Sequence, residues 1–291
     1  MKIMKRLILP VLVLFVCDAC GRFGNEVKKE GRQERIVCIA KQYNEIIYAL
    51  GAQDNLVAVD VSSTYPGEIK KLPTVGYHRA LSAEGMIAAQ PSLIIHDNNV
   101  GPEHVMSQME KLQIPMKTFS RAKDIEETKA LIKEMGTYFH KEIQADSLCR
   151  KIDNDLNAAL KSERPIVDTP DVVIIHYGRA MNVYLVMTQL SNAAQMVTWA
   201  GGRVPVTGDK GMQNISAEII ADANPDIILL TDFGYDRLGT PEKIKELPGI
   251  ATTKAAKKNR IYRFEEHDLV YFGPRIGENI LKMKKLFHSD E

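Results

Sequence analysis

One stretch of this chain is written twice, and that duplication limits what it can fold into. LSAEGMIAAQPSLII at residues 81–95 and ISAEIIADANPDIIL at residues 215–229 align without a gap at a constant offset of 134, sharing Ser, Ala, Glu, a later Ala and Pro. In each copy the Ser is placed to cap a helix N-terminus, the Glu two residues on favours the positive end of the helix dipole, and the Pro stops the helix before an apolar run. A helix-then-strand unit repeated in register predicts two similarly built α/β halves related by a pseudo-twofold axis. Helix-dipole chemistry accounts for an acidic residue at Glu84 and Glu218; it does not account for glutamate in both copies.

The surroundings of each copy repeat the alternation. Residues 35–40 read as a strand, 44–50 as a helix ending at Gly51, and 56–61 as a strand. The first copy follows as helix 82–90 and strand 93–95, then a helix near 103–112 and a strand at 116–119. After Pro165 come strand 172–176, helix 192–199 stopped by Gly201 and Gly202, the second copy running into Thr231, helix 241–247, strand 260–264 and a closing helix 273–287. Such alternation predicts mostly parallel sheets covered on both faces. Between the halves, residues 124–163 contain no proline and only Gly136 as a breaker, with apolar residues at helical spacing. As one helix they would extend about 60 Å. The predicted organisation is a leader (1–20), a polar tether (21–34), an N-terminal lobe (35–122), a connecting helix (123–164) and a C-terminal lobe (165–291).

Charge and cysteine content remove several function classes. The 38 basic and 37 acidic residues nearly balance, no basic block is interleaved with aromatics, and Trp199 is the single tryptophan, so no nucleic-acid surface is predicted. Lys2, Lys5 and Arg6 precede an apolar core at residues 7–16, too short for the roughly 20 residues of a membrane-spanning helix. The chain therefore reads as exported. The Ala-Cys-Gly junction at Cys20 resembles a bacterial lipoprotein box, which makes Cys20 a lipidation site; cleavage before Cys17, or a secreted form without lipid, is the other reading. Cys38 and Cys149 are read as buried thiols rather than as a bridge.

The segment VGYHRALSAEGMIAAQPSLII, residues 75–95, carries the family likeness. Its Gly76, Tyr77, Arg79, Leu81, Ser82, Ala83, Glu84 and Gly85 match the Gly-Tyr-x-Arg-x-Leu-Ser-Ala-Glu-Gly pattern. EIIYALGA (45–52), DVSSTYP (60–66), AGG (200–202), VTG (206–208) and FGPR (272–275) extend the match over nearly the whole mature chain. The chain resembles the substrate-binding proteins of bacterial iron, haem and cobalamin ABC importers, specifically the haem-binding branch. That resemblance implies an α/β fold of two pseudo-symmetric lobes joined by one long helix that move little. It also implies haem as transported cargo rather than as catalytic cofactor. The partners it implies are a permease dimer with its ATPase subunits and the membrane, through an N-terminal lipid anchor.

The resemblance makes Tyr77 the axial ligand of ferric haem; a phenolate is a hard anionic donor suited to Fe(III). Spacing alone gives only a loop tyrosine beside a solvated arginine. Arg79 is then expected to hydrogen-bond the phenolate oxygen. His176, at the end of the strand that opens the second lobe, is the first candidate for a second ligand, with His96, His78 and His104 behind it and Tyr77 alone as the competing arrangement. At the repeat position equivalent to Tyr77 the second copy has Gly211, so the lobes cannot ligate symmetrically.

Arg79, Arg179 and Arg275 are candidate haem contacts for the propionates, although Arg275 at a helix start could equally bridge within the lobe. Met181, Met187 and Met212 are candidates for the porphyrin face. The family role of Glu84 and Glu218 is docking onto arginines of the two permease subunits. A cobalamin or ferric-siderophore cargo on the same fold is the nearest alternative. An exported enzyme or sensor is the alternative from another class; no GxSxG, HExxH, P-loop or GxGxxG motif supports catalysis.

Overall fold

A computed structural model describes residues 34–161, 169–179 and 181–287. The leader with Cys20, and the tether up to residue 33, lie outside the described residues. The N-terminal lobe holds a sheet of β1 (Ile36–Cys38), β2 (Leu56–Val59), β5 (Leu93–Ile95) and β6 (Met116–Lys117) in the order β2-β1-β5-β6, with every pairing parallel. A small antiparallel hairpin, β3 (Gly76–Tyr77) with β4 (Ala80–Leu81), stands beside it. In β1 and the residue after it, Ile36 and Cys38 face one apolar layer and Val37 and Ile39 the other, the period of two expected for a sheet covered on both faces. Helices α1 (Lys41–Ala49), α2 (Ala83–Ala88) and α3 (Glu103–Lys111) supply the cover.

The C-terminal lobe has a sheet in the order β11-β10-β7-β8-β9, from β7 (Val172–Gly178), β8 (Val183–Met187), β9 (Met212–Asn214), β10 (Ile227–Thr231) and β11 (Ile261–Phe264). Its β7, β10 and β11 are parallel and correspond in position to β1, β5 and β6. Here the pseudo-symmetry breaks. Where β1 reaches its outer neighbour β2 through helix α1, β7 turns straight back into antiparallel β8, and β9 adds antiparallel to that. The strands β8 and β9 are absent from the sequence reading, although VYLVM is a β-rich run. The short link from β7 to β8 passes through Asn182 in the left-handed region (φ 56°), where an asparagine is tolerated.

The duplicated segment folds as its pattern predicts. Ser82 Oγ accepts from the Gly85 amide at 3.1 Å and Ser216 Oγ from the Ile219 amide at 3.2 Å, capping α2 and, in the second lobe, the equivalent helix Ala217–Ala223. Both copies also leave the helix through a left-handed residue before the proline, Gln90 (φ 49°) and Asn224 (φ 30°). Their strands then lie beside the lobe's first strand in each half, β5 on β1 and β10 on β7.

The long segment between the lobes departs from expectation. It is two helices, α4 (Ile125–Tyr138) and α5 (Glu142–Lys161), packed against each other and joined through Phe139, His140 and Lys141. His140 takes a left-handed φ of 54° at the break. The helical spacing continues across the junction, so periodicity alone cannot register the reversal. Gly136 permits it: a Cβ there would stand 2.5 Å from the Ala145 Cβ. The connecting element is thus α5 alone, 20 residues or about 30 Å, half the predicted length, and it packs on the closing helix Ile276–Phe287.

A polar junction ties the lobes together behind the cleft. Glu45 of α1, 4% exposed, receives a hydrogen bond from His267 Nε2 and an ion pair from Arg275 (Nε at 2.8 Å), both from the second lobe. Arg275 also meets Asp268 at 2.7 Å and lies 3.6 Å over the ring of Tyr65. Three quoted motifs, EIIYALGA, DVSSTYP and FGPR, therefore meet at one place. Burial pushes the Glu45 carboxyl up, but the His267 hydrogen bond and the His267 and Arg275 charges outweigh it and hold the group below the usual carboxylate range. With the folded value below the unfolded one, this stabilisation is complete above the unfolded value of about 4.5 and is lost as pH falls through the folded one. Glu45→Gln should cost about 3 kcal/mol or more at pH 7 by leaving Arg275 under-paired. Denaturant melts should show the gap between variant and wild type closing at acid pH. Gly136→Val should lower stability by about 2 kcal/mol through overpacking at the α4–α5 turn, read as a lower thermal midpoint.

Candidate functional site

The cleft between the lobes is built from the carboxyl ends of their strands, where open α/β sheets bind ligands. On the N-terminal side the β3–β4 hairpin presents Tyr77, His78 and Arg79. Gly76 makes that hairpin possible: its φ is 102°, and a Cβ would stand 2.8 Å from the Ala80 carbonyl oxygen. The hairpin is stapled to the loop after β5, with the Gly101 amide donating to the His78 carbonyl at 2.8 Å and the Leu81 amide to the Gly101 carbonyl at 2.9 Å. Tyr77, half-buried, is thereby held on a short rigid finger.

On the other side the antiparallel strands set the wall. Alternation along β7 turns His176 and Gly178 into the cleft, while Tyr177 points to the opposite face, where it packs on Tyr184 and Phe233. Arg179, Met181, Leu185, Met187 and Met212 complete an apolar, sulfur-rich surface with one cation at its edge. The floor is Lys41 and Tyr271 with Glu266; Lys41 Nζ lies 3.5 Å from Glu266 and 4.0 Å from the centre of the Tyr271 ring. The enclosed space is about 200 Å³.

Burial and charge tune these groups. His176 is pushed below its ordinary value by burial, with Glu266 opposing and Lys41 and Arg179 adding to the effect, which favours the neutral imidazole with a lone pair on one ring nitrogen. Its Nδ1 stands 3.5 Å from the Thr231 hydroxyl. For Glu266, burial is outweighed by the neighbouring cations, Lys41 first and then Arg179, which hold the carboxyl below its usual range. Burial, and next Glu266, push the Tyr271 phenol up and keep it protonated.

The structure therefore gathers Tyr77, Arg79, His176, Arg179, Met181, Met187 and Met212 around one cleft. It places other candidates elsewhere. Arg275 lines a different cavity with Glu45, Tyr65 and Lys151, and its guanidinium is taken by Glu45 and Asp268, the intralobe and interlobe bridging role rather than a cleft contact. Arg79 lines the cleft, but its donors go to Asn99 Oδ1 at 3.1 and 2.7 Å and not to the Tyr77 oxygen. His96 is buried, accepts from the Asn98 amide and does not line the cleft; His104 is exposed on α3. Glu84 and Glu218 are both exposed in the first turns of their helices. Cys38 and Cys149 are buried free thiols.

Lys41, Ser62, Asn99, Glu266 and Tyr271 line the cleft without having been anticipated. Lys41 and Glu266 follow β1 and β11 within three residues, so a rule that inspects the residues just past each predicted strand would have found them.

Known proteins share this architecture. The chain is 25% identical over 279 residues, 91% of its length and 82% of the other, to an uncharacterized ABC transporter substrate-binding lipoprotein, YvrC, of Bacillus subtilis. It is 24% identical over 199 residues, 68% of its length and 70% of the other, to a vitamin B12-binding protein of Vibrio campbellii. Among solved structures, the apo form of the periplasmic heme-binding protein RhuT from Roseiflexus sp. RS-1 superposes with a TM-score of 0.81 at 29% identity, covering 89% of this chain and 99% of that one. The model of the family described as periplasmic binding protein matches residues 36–267, a span that includes Tyr77, His176 and every other cleft residue up to Glu266, and the chain belongs to that family.

Proposed function

We propose that this protein captures ferric haem outside the cytoplasmic membrane and delivers it to an ABC permease, without covalent chemistry. The observation that carries the reading is the composition of one cleft. A tyrosine on a rigid finger faces a wall of Met181, Leu185, Met187 and Met212, with His176 behind it and arginines at its edge. A flat, largely apolar macrocycle with a ferric centre and two anionic arms needs that set: an anionic oxygen donor, polarizable packing for the ring faces and cations for the carboxylates. The similarity to a solved heme-binding protein supports the reading.

In it, Tyr77 binds the iron, His176 is the donor available from the second lobe, and Arg79 and Arg179 meet the propionates. Arg79 would have to leave Asn99 to reach the Tyr77 oxygen. Glu84 and Glu218 dock onto the two permease subunits, and Cys20 carries the lipid that tethers the chain to the membrane. The vitamin B12-binding relatives favour cobalamin as the second reading. That cargo, whose cobalt is already enclosed by its own ligands, leaves Tyr77 without a task.

Titration of the mature protein with hemin should give saturable binding with a Soret band and a phenolate-to-iron charge-transfer band. Tyr77→Phe should remove the charge-transfer band and weaken binding at least tenfold. Saturable binding of cyanocobalamin with none of hemin would overturn the haem assignment in favour of the second reading. Replacing Glu84 and Glu218 together by Ala should leave the hemin titration unchanged and reduce uptake in a reconstituted permease at least tenfold; collapse of binding would sink the docking role.

A further inference from the structure

Next to Tyr77, the turn of the same hairpin carries His78, whose ring centre lies 4.2 Å from that of Tyr77. His78 lines the cleft and is only 11% exposed. Its Nδ1 edge faces a polar cluster that nothing in the proposed cargo reading uses. Asp60, fully buried, stands 3.7 Å from Nδ1, and the Ser62 hydroxyl 3.3 Å from it. Asp60 in turn accepts from the Ser62 amide at 3.0 Å, from the Ser62 hydroxyl and from the Ser63 hydroxyl at 2.6 Å. Asn44 holds Ser63 from below, donating to its hydroxyl at 2.8 Å and to the Cys38 carbonyl at 3.1 Å. The cluster comes from α1 and from the DVSSTYP segment, both packed under the hairpin.

The Ser62 hydroxyl gives its hydrogen to Asp60, so its oxygen is left to accept from Nδ1–H of His78, and that tautomer keeps the lone pair on Nε2. Nε2 has no hydrogen-bond partner among the described residues. A histidine that lines a ligand cleft, held from behind by a hydroxyl that a buried carboxylate orients and with its second nitrogen unengaged, has the outer support that metal-binding imidazoles use. Among the described residues His176 has the Thr231 hydroxyl at 3.5 Å as its hydrogen-bond contact and no such backing.

We propose that His78 is a second iron donor on the Tyr77 hairpin, one that takes the iron when the cargo is ferrous while Tyr77 takes it when ferric. This rests on the haem reading above. The division follows donor character, since an anionic phenolate favours Fe(III) and a neutral imidazole serves the softer Fe(II). The oxidation state arrives with the cargo, so the protein performs no electron transfer. Two adjacent donors on one finger let a single cleft accept haem from oxidised or reduced sources without moving the lobes.

The test is hemin binding by the mature chain, ferric and after reduction with dithionite, for wild type, His78→Ala, Asp60→Asn, His176→Ala and Tyr77→Phe. Reduced wild type should show an imidazole-type ferrous spectrum that His78→Ala abolishes and His176→Ala retains. In ferric protein His78→Ala should leave the charge-transfer band in place. Asp60→Asn should weaken ferrous binding about tenfold or more and ferric binding little. Circular dichroism and thermal melts establish that each variant is folded, and His78→Gln replaces any His78→Ala protein that is not. A ferrous spectrum unchanged in the folded His78 variant, or lost in His176→Ala instead, overturns the inference and leaves the haem reading standing. Absence of hemin binding by wild type overturns both.

Discussion

Glu45 is the buried charge that ties together the two lobes forming the cleft. A carboxylate buried to 4% exposure would be costly alone, and its partners His267 and Arg275 come from the opposite lobe, so burial of each charge depends on the lobes staying together. Tyr65 and Asp268 complete the guanidinium's surroundings, and on the cleft side Lys41 and Glu266 repeat the arrangement in smaller form. With α5 packed on the closing helix as the covalent link, the lobes are joined by a short rigid helix and a polar lock.

The two halves share an architecture but divide the labour. Where the pattern is duplicated, in the capped helices and the strands beside β1 and β7, each lobe presents an exposed glutamate. Where the duplication fails, the cleft is made. The first lobe inserts the β3–β4 finger with Tyr77 and His78; the second replaces a helical crossover with antiparallel β8, on which β9 then pairs, so that β7 turns His176 inward and the wall is lined with Met187 and Met212. An asymmetric cleft on a pseudo-symmetric frame suits the proposed cargo, bound through one donor finger against an apolar wall.

Two of the most useful local signals were short. The Gly of Gly-Tyr-x-Arg is required by a left-handed backbone and a 2.8 Å approach to Ala80, which explains its place beside the tyrosine in physical terms. DVSSTYP, whose role its residue types do not reveal, supplies Asp60, Ser62 and Ser63 beneath His78 and Tyr65 beneath Arg275.

The sequence by itself determined the paired α/β lobes, the capped repeat helices and the position of Tyr77, because these rest on local periodicity, capping chemistry and a motif contiguous in the chain. His176 was also legible, since the end of a predicted strand fixes which edge of a sheet a residue occupies. Tertiary structure alone decided the rest. Whether residues 124–163 continue or fold back turns on Gly136 meeting Ala145 across a break that leaves the helical period intact. Whether Arg275 faces cargo or Glu45, and whether Arg79 reaches Tyr77 or Asn99, is settled by partners more than 200 and about 20 residues away. Charged side chains are long and take whichever buried counter-charge the fold brings near, and no local pattern encodes that choice.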